Sequence, residues 1–293
     1  MCLLCSLLVL ILIILSLSSH RHHDNCVLLA GKGSPTQPLG QRYAINYHSI
    51  FDNKILRKFK GHTDAVTSIS MCPADDTFLS SSRDRTIRLW DVKEAGCLAE
   101  LKLPDNAVGD PLAVFDSTGL VFAVTAAMAD QQGHYVHLYD ARNYNGGAFA
   151  ELIVSQADLQ NAIQSQVSTT PARALEMSRG DWKSIEFNLS GNQILIGADH
   201  GVSLLLDGFE GSIQRVLVPP GSNYSRPAVT CFTPDDKTVL SGHEDGSITC
   251  WDVDSGALVN TLKGHSGAIN CLAANPKYAQ IASSCTHTAL WIW

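Results

Sequence analysis

The sequence has few charged and few aromatic side chains, and it has no excess of positive charge. Charged residues make up 17% of the 293 positions and aromatic residues 7%, against 45% hydrophobic residues. This much apolar surface supports a packed core and excludes general disorder. Acidic residues outnumber basic ones by 28 to 21, for a net charge of −7. A globally basic nucleic-acid binder is therefore disfavoured, and we predict no direct sequence-specific contact with nucleic acid.

The sequence also lacks the short motifs that mark common enzymes. It contains no phosphate-binding glycine loop, no G-x-S-x-G turn and no H-E-x-x-H pair. Two carboxylate pairs, Asp75-Asp76 and Asp235-Asp236, closely follow a proline, where aspartate ordinarily stabilises a turn. We therefore predict a protein that is not an enzyme and that uses no cofactor and no metal.

The cysteine pattern does not predict a disulfide framework. The chain has 9 cysteines, an odd number, and most of them lie within apolar, strand-like runs. Buried thiols of this kind are typical of reduced proteins in the cytosol or nucleus.

The amino terminus differs in composition from the rest of the chain. Residues Met1–Ser19 are apolar and uncharged, and the first charged side chain is that of Arg21. A secretory signal ordinarily begins with basic residues, and a spanning helix needs ~20 apolar residues. Three interpretations stay open: a membrane anchor or signal, a buried helix, or a segment foreign to the fold, which the abrupt change of composition favours. Residues 1–42 are assigned to this segment and a Gly-, Pro- and Ser-rich linker, Val27–Gln41.

The remainder of the chain, residues 43–293, repeats itself. Gly-His pairs at His62 and His265 each precede an alternating strand, a Pro-containing turn, a small-residue strand and a third strand ending in Trp. The intervals from His62 to Trp90 and from His265 to Trp293 are both 28 residues. The two units are therefore predicted to be in register over their whole length.

Further copies of the repeat lie between these two. One ends at Trp251, and two weaker copies end at Tyr139 and Leu206, so that successive copies end 49, 67, 45 and 42 residues apart. A period of about 40–45 residues with four short strands is typical of β-propeller blades. The longest interval holds an insertion at about 156–180, which is polar, has helical spacing over 157–163, and is predicted to be an exposed loop.

The residue types at fixed places in the repeat resemble those of the WD-repeat family. The resemblance is carried by Gly61-His62, Asp84, Trp90-Asp91, Asp245, Trp251-Asp252 and Gly264-His265. In that family a His, a strand Ser or Thr, a turn Asp and the Trp form a hydrogen-bonded tetrad, which is chemically reasonable for these groups. The resemblance implies tetrad roles for His62, Ser80 or Ser82, Asp84, Trp90, Asp245, Trp251, His265 and Trp293.

Two features qualify this assignment. His62 and Asp84 are also residue types of a catalytic triad, but their periodic recurrence favours a structural role. His287 stands at the Asp position of the last repeat, so we expect that tetrad to be incomplete.

A narrower resemblance covers residues 43–293. It is to the WD-repeat subunit of the COMPASS histone methyltransferase, which is shared with RNA 3′-end-processing and nuclear phosphatase complexes. It rests on Asp52-Asn53-Lys54, on Thr86–Asp91 and on residues 73–78, 115–123, 138–142, 232–235 and 275–278. The resemblance implies an all-β WD40 β-propeller of about seven blades. Five repeats and a partial one are recognisable here, so we expect a partial propeller that lacks its amino-terminal blades.

The resemblance further implies a non-catalytic scaffold in the nucleus. Its expected partners are subunits of a histone H3 lysine methyltransferase complex and the phosphorylated tail of RNA polymerase II, with a link to RNA 3′-end processing. Arg83 and Arg85 flank the turn aspartate and are the candidate phosphopeptide contacts, although ordinary solvated turn residues have the same pattern. The alternative is a generic cytoplasmic or membrane-anchored WD-repeat scaffold, with a membrane role only if residues 1–19 are a genuine anchor.

Overall fold

The computed structural model describes residues 26–31, 39–94, 96–129, 132–275 and 277–292. Most of the regular structure in these residues is β-strand, arranged in six sheets that we number in chain order. Within each sheet a strand pairs only with strands adjacent to it in the sequence, which is the up-and-down arrangement of a propeller blade. The predicted all-β fold class is therefore confirmed.

The first three sheets contain eleven strands. Sheet 1 comprises β1 (Cys26–Ala30), β2 (Ile45–Ser49) and β3 (Lys54–Phe59). Sheet 2 comprises β4 (Val66–Met71), β5 (Thr77–Ser82), β6 (Thr86–Asp91) and β7 (Cys97–Lys102). Sheet 3 comprises β8 (Ala107–Phe115), β9 (Val121–Met128), β10 (Gly133–Asp140) and β11 (Ala150–Ser155).

The other three sheets also contain eleven strands. Sheet 4 comprises β12 (Trp182–Phe187), β13 (Gln193–Ala198), β14 (Val202–Asp207) and β15 (Ile213–Leu217). Sheet 5 comprises β16 (Val229–Phe232), β17 (Thr238–Gly242), β18 (Ser247–Asp252) and β19 (Leu258–Lys263). Sheet 6 comprises β20 (Cys271–Ala274), β21 (Gln280–Ser284) and β22 (Thr288–Ile292). The helices are α1 (Leu39–Arg42), α2 (Gln156–Gln166) and α3 (Pro171–Ser178), with 3-10 turns at Tyr144–Gly146 and Asp199–Gly201.

The chain divides into two compact units. Among the described residues, one unit contains 26–129 and 137–150, and the other contains 132–136 and 151–292. Each unit has its own apolar clusters.

Aromatic rings dominate the core of the first unit. Phe59 of β3 meets Phe78 of β5 edge-on, with ring centroids 4.9 Å apart, and Phe78 stacks on Trp90 of β6 at 6.2 Å. All three side chains are almost completely buried. Each such ring contributes about 1.5–3 kcal/mol through burial, so this cluster fastens sheet 1 to sheet 2. A second cluster contains Cys72, Leu79, Ile87, Leu89, Ala113, Phe115, Phe122 and Val124.

Aliphatic side chains dominate the core of the second unit. One cluster contains Leu195, Leu205, Leu217, Phe232, Val239, Trp251 and Val253, and another contains Cys231, Leu240, Ile248, Cys250, Ile269, Leu272 and Ile281. A buried hydroxyl pair, Ser203 and Ser241, lies 2.7 Å apart between β14 and β17. Packing and satisfied polar contacts, among them this hydroxyl pair, therefore join sheet 4 to sheet 5.

The linker predicted for Val27–Gln41 was wrong at its start. Residues Cys26–Ala30 form β1, which pairs antiparallel with β2 from Cys26 opposite Ser49 to Ala30 opposite Ile45. Val27 and Leu28 are fully buried, so this short apolar run is a core strand. In the sequence, the Gly- and Pro-rich residues that follow this run made it look like part of a linker. The sheets therefore begin before Tyr43, where the repeats were predicted to start.

The exposed loop predicted for about 156–180 was also wrong, although its helical spacing is confirmed. The segment contains α2 and α3, whose N-caps Ser155 and Thr170 accept hydrogen bonds from backbone N–H groups of the first turn. The buried residues of the two helices include Leu159, Ile163, Ala174 and Met177. The Gln166 side chain accepts a 2.9 Å hydrogen bond from the backbone N–H of Val216 on β15. The insertion therefore packs against sheet 4 and contacts its outer strand.

The helices of the described residues are short. None of them is long and apolar enough to cross a membrane. The apolar segment Met1–Ser19, on which the anchor hypothesis rests, lies outside the described residues.

Candidate functional site

A hydrogen-bonded chain of side chains crosses sheet 2. The imidazole of His62 lies 2.9 Å from an Asp84 carboxylate oxygen through Nδ1 and 2.7 Å from the Ser80 hydroxyl through Nε2. The indole N–H of Trp90 donates to the same hydroxyl at 2.8 Å. Ser80, on β5, therefore bridges a residue before β4 to a residue of β6. Of the two serines left open by the sequence, Ser80 occupies this bridging position.

The neighbouring Ser82 has a different place. Its hydroxyl donates to the backbone carbonyl of Asp64 at 3.0 Å and accepts from the N–H of Asp84 at 3.2 Å. Both bonds hold the chain at the start of the β5–β6 turn. Ser82 thus orients the aspartate without touching the imidazole or the indole.

Asp84 is held by several donors. Besides His62, it accepts hydrogen bonds from the backbone N–H groups of Thr63 and Thr86, at 2.9 and 3.0 Å, and from the Thr86 hydroxyl. Burial acts to raise the pKa of Asp84, but hydrogen bonds from His62, Thr86 and Thr63 outweigh it and hold the pKa well below its usual range. Asp84 is therefore a buried carboxylate that fixes the turn.

Sheet 6 has the same series of His–Ser–Trp hydrogen bonds, with two changes. The His265 imidazole contacts the Ser283 hydroxyl at 2.6 Å through Nε2, and the indole of Trp291 donates to that hydroxyl at 2.7 Å. The tetrad position that the repeat spacing assigned to Trp293 is thus occupied by Trp291, and Trp293 lies outside the described residues. In sheet 2 the turn joining paired residues Ser81 and Ile87 spans 82–86, whereas in sheet 6 the turn between Ser284 and Thr288 spans 285–287. The shorter turn moves the tryptophan two residues closer in sequence.

The aspartate position of sheet 6 is occupied by Cys285. Its sulfur lies 3.1 Å from Nδ1 of His265 and accepts a 3.4 Å contact from the backbone N–H of His287. The expectation that His287 takes the aspartate's place was therefore wrong, because the shorter turn brings Cys285 to the imidazole. Burial acts to raise the pKa of the Cys285 thiol, but hydrogen bonds from His287, Thr286 and His265 outweigh it and lower the pKa to about 6. The thiolate form can thus serve as the anionic partner that Asp84 supplies in sheet 2.

Sheet 5 also joins an indole to an imidazole through a hydroxyl, but from other positions in the repeat. The indole of Trp251 donates to the Thr249 hydroxyl at 2.9 Å, and His243 contacts that hydroxyl at 2.8 Å through Nε2. Asp245 instead accepts a 2.9 Å hydrogen bond from the hydroxyl of Tyr224, whose ring stacks on His243. Burial lowers the pKa of His243 to about 4, so this imidazole is neutral at physiological pH. The spacing rule missed His243 because it lies after β17 rather than before β16.

Arg83 and Arg85 point in different directions from the turn of sheet 2. The Arg83 guanidinium donates to both carboxylate oxygens of Asp110, at 2.5 and 3.0 Å. The Arg85 guanidinium donates to the backbone carbonyl of Pro104 at 2.8 Å, and its own backbone has a left-handed φ of 65°. Each guanidinium is thus already engaged within the protein.

Comparison with known proteins identifies the repeats. A model of the WD domain, G-beta repeat, matches residues 53–91, 216–252 and 256–293. WD repeat-containing protein 82 of Drosophila melanogaster is 34% identical over 249 residues, which cover 85% of this chain and 69% of the relative. The chain belongs to the WD-repeat family.

Two further relatives place it within that family. Anthesis promoting factor 1 of Arabidopsis thaliana is 30% identical over 92% of this chain and 72% of its own length. The COMPASS component SWD2 of Saccharomyces cerevisiae is 27% identical over 83% of this chain and 69% of its own length. The resemblance to the COMPASS WD-repeat subunit is therefore confirmed.

The matched WD repeats end in the three sheets that carry a bridging hydroxyl. The two weaker repeats, in sheets 3 and 4, have apolar closures instead. Tyr139 stacks on Phe122 with ring centroids 5.0 Å apart, and Leu206 is fully buried. In sheets 2 to 5 the aspartate that ends the third strand nonetheless caps the next turn; these residues are Asp91, Asp140, Asp207 and Asp252.

The carboxylate pairs lie in turns of the WD repeats. Asp75 accepts from the backbone N–H of Thr77, and Asp235 accepts from that of Lys237. Asp236 accepts from two backbone N–H groups of the neighbouring sheet. Within the described part of the chain no three His, Cys, Asp or Glu side chains are grouped to hold a metal ion.

The Cys285 contacts predict a pH-dependent stability. The unfolded thiol has a pKa of about 8.5, while the folded thiol ionises at about 6. Between these values the unfolded state binds the extra proton, so the stabilisation from Cys285 is fully present above about 8.5 and is lost as the pH falls through 6. The unfolding temperature of the wild type, measured relative to Cys285→Ser, is expected to rise between pH 6 and 8.5.

Cys250→Ser is the matched control, because burial raises the pKa of Cys250. The difference between wild type and this control should not grow over the same interval. A difference between wild type and Cys285→Ser that stays constant from pH 6 to 8.5 would contradict the thiolate assignment.

Proposed function

We propose that this WD-repeat protein is a non-catalytic scaffold subunit of a nuclear chromatin complex of the COMPASS type. The observation that carries the proposal is its similarity to the COMPASS component SWD2 over 83% of the chain. A second relative, 26% identical over 76% of the chain, is the Set1 complex component swd2 of Schizosaccharomyces pombe. In such a complex the chain would support histone H3 lysine methylation by holding other subunits in place.

The tetrad of sheet 2 supports a structural rather than a catalytic role. Ser80, His62 and Asp84 have the residue types of a nucleophile, a base and an orienting acid. However, Ser80 is fully buried and His62 is 1% exposed, and the Ser80 hydroxyl already accepts the indole N–H of Trp90. A nucleophile must reach its substrate, and this hydroxyl is covered.

Rigid turns are what a scaffold of this family requires. The bridging hydroxyls fix the positions of the loops before and after the strands that they connect, as Ser80 fixes the loop at His62. Loops held on a stiff sheet lose little conformational entropy when they bind a peptide, which improves affinity. The partners of the chain are accordingly proposed to be proteins, namely other subunits of the methyltransferase complex.

We further propose, at the level of the family, that the scaffold couples to RNA polymerase II or to RNA 3′-end processing by binding a phosphorylated peptide. Arg83 is 56% exposed on its side chain and can reach a phosphate. A phosphate at this position would have to replace Asp110 as its partner. Asp110 therefore competes with the phosphate and lowers the affinity of Arg83 for it.

The generic cytoplasmic or membrane-anchored scaffold is the alternative. Its support is the apolar segment Met1–Ser19, which lies outside the described residues. The COMPASS similarity covers sheets of the described part, and it favours the nuclear role.

Affinity purification tests the proposed complex. The tagged full-length chain, expressed in cells depleted of the endogenous relative, is expected to be found in the nuclear fraction and to co-purify methyltransferase activity towards a histone H3 peptide. As a control, the tagged chain with the exposed substitution Ser165→Ala on α2 should co-purify the same activity. Recovery in a membrane fraction without methyltransferase activity would overturn the proposal in favour of the alternative.

Substitutions at the ion pair test the phosphopeptide contact separately. Asp110→Ala removes the competing carboxylate, so the affinity for a phosphoserine peptide should rise several-fold. Arg83→Glu replaces attraction by repulsion and should lower that affinity by at least about tenfold, as measured by fluorescence anisotropy. Equal affinities for wild type, Asp110→Ala and Arg83→Glu would exclude Arg83 from peptide binding while leaving the complex assignment intact.

A further inference from the structure

The outer strand of sheet 1 carries a concentration of positive charge that the rest of the chain lacks. Lys54, Arg57 and Lys58 lie on β3 and Lys60 follows it, with no acidic residue between them. The chain as a whole is acidic, with a net charge of −7. The four cations of this strand and the residue after it are therefore a local excess of positive charge in an acidic chain.

The four cations are not neutralised by carboxylates of the described residues. Elsewhere six cations pair with a nearby carboxylate, in Arg83–Asp110, Arg88–Glu100, Lys93–Asp76, Arg142–Asp140, Arg173–Glu176 and Lys183–Asp181. None of the ion pairs found within residues 26–31, 39–94, 96–129, 132–275 and 277–292 involves Lys54, Arg57, Lys58 or Lys60. A guanidinium nitrogen of Arg57 is buried without a hydrogen-bond partner. The positive charge of β3 is thus not offset by an ion pair within the described residues.

The geometry of β3 suits an extended partner. β3 lies at the end of the strand order of sheet 1 and pairs with β2 on one side. The backbone N–H and C=O groups of an edge strand form a template on which a further strand can pair. β3 is regular over Lys54–Phe59 apart from a bulge at Leu56, between the paired residues Ile55 and Arg57.

Apolar side chains lie beside the charges. Ile55 and Leu56 are 48% and 52% exposed, and the β2–β3 turn presents Ile50 and Phe51, of which Phe51 is 84% exposed. The turn is itself well fixed, because Asn53 has a left-handed φ of 52° and accepts a 3.0 Å contact from His48. These residues offer an apolar contact at one end of a basic strand.

The same charges decide which occupant fits. A second copy of the chain pairing through β3 would place lysines against lysines, and like charges directly opposite one another destabilise a strand pair. A segment that alternates acidic and β-branched residues would place its carboxylates on the face shared by Lys54 and Arg57, which lie opposite Ser49 and Tyr47 of β2, while its backbone pairs with the strand edge.

We propose that β3, with Lys60 and the turn residue Phe51, is a docking edge that takes an acidic segment of a partner protein as an added strand. The inference does not depend on the proposed function, because it rests on the charge, exposure and edge position of β3. It assigns a surface that differs from the turn carrying Arg83 and Arg85.

A labelled peptide tests the docking edge directly. The probe has about eight residues, enough to span the strand, and alternates glutamate with valine. The full-length wild type is expected to bind it in fluorescence anisotropy, and binding should weaken as the salt concentration rises, because exposed charges are screened. Lys54→Glu with Lys58→Glu should lower the affinity by at least about tenfold.

The matched control makes the same change in charge on other outer strands. Lys102→Glu on β7 with Lys263→Glu on β19 should leave the affinity within about twofold of wild type. Equal losses in the two double variants would show a response to net charge alone, and they would overturn the assignment to β3.

A second probe tests pairing through the backbone. The same peptide N-methylated at alternate residues keeps its charge but loses N–H donors, so it is expected to bind at least about tenfold more weakly. Equal binding of the methylated and unmethylated peptides would overturn strand addition. Displacement of the peptide by single-stranded oligouridine at lower concentrations than by unlabelled peptide would overturn the assignment to a protein partner.

Discussion

A single buried hydroxyl joins an imidazole to an indole in each of the three well-formed repeats. Ser80 in sheet 2, Thr249 in sheet 5 and Ser283 in sheet 6 each accept an indole N–H and contact an imidazole nitrogen. An indole and an imidazole buried without such a partner would each cost about 1–3 kcal/mol. In sheets 2 and 6 the hydroxyl therefore ties a residue before the first strand to the third strand, whereas in sheet 5 it lies on the third strand and is contacted by the imidazole that follows the second strand.

The repeat architecture could be predicted from the sequence because its determinants are local and periodic. Spacing located the strands of sheets 2 to 6, and the residue types around His62 and Trp90 pointed to the tetrad that the structure contains. Strand alternation and turn aspartates are short-range signals. They allow a repeat to be recognised even where Tyr139 or Leu206 replaces the tryptophan.

What could not be predicted depends on turn length and on contacts between distant residues. The spacing rule chose Trp293 because it assumed a turn of constant length, whereas the turn at 285–287 is shorter and brings Trp291 and Cys285 into place. In sheet 5 the roles are redistributed among Tyr224, His243 and Thr249, and no single spacing encodes that exchange. The strand β1 and the helix α3 were missed, and α2 was predicted only as helical spacing within an exposed loop, because the burial of their apolar side chains is decided by distant residues.

The buried polar groups of the protein differ from its exposed charged groups in how they are paired. Groups that could be mistaken for catalytic ones, such as Ser80 and His62, are buried in the framework. On the surface, the charge pairing of Arg83 with Asp110 contrasts with the unpaired cations of β3.

A double-mutant cycle measures how strongly Ser80 couples His62 to Trp90. His62→Ala and Trp90→Phe are made singly and together, and the free energy of unfolding is measured by urea denaturation followed by circular dichroism. We expect a coupling of at least about 0.5 kcal/mol, which disappears when the cycle is repeated with Ser80→Ala. Additivity of the two substitutions within about 0.3 kcal/mol, or a coupling unchanged by Ser80→Ala, would contradict this expectation.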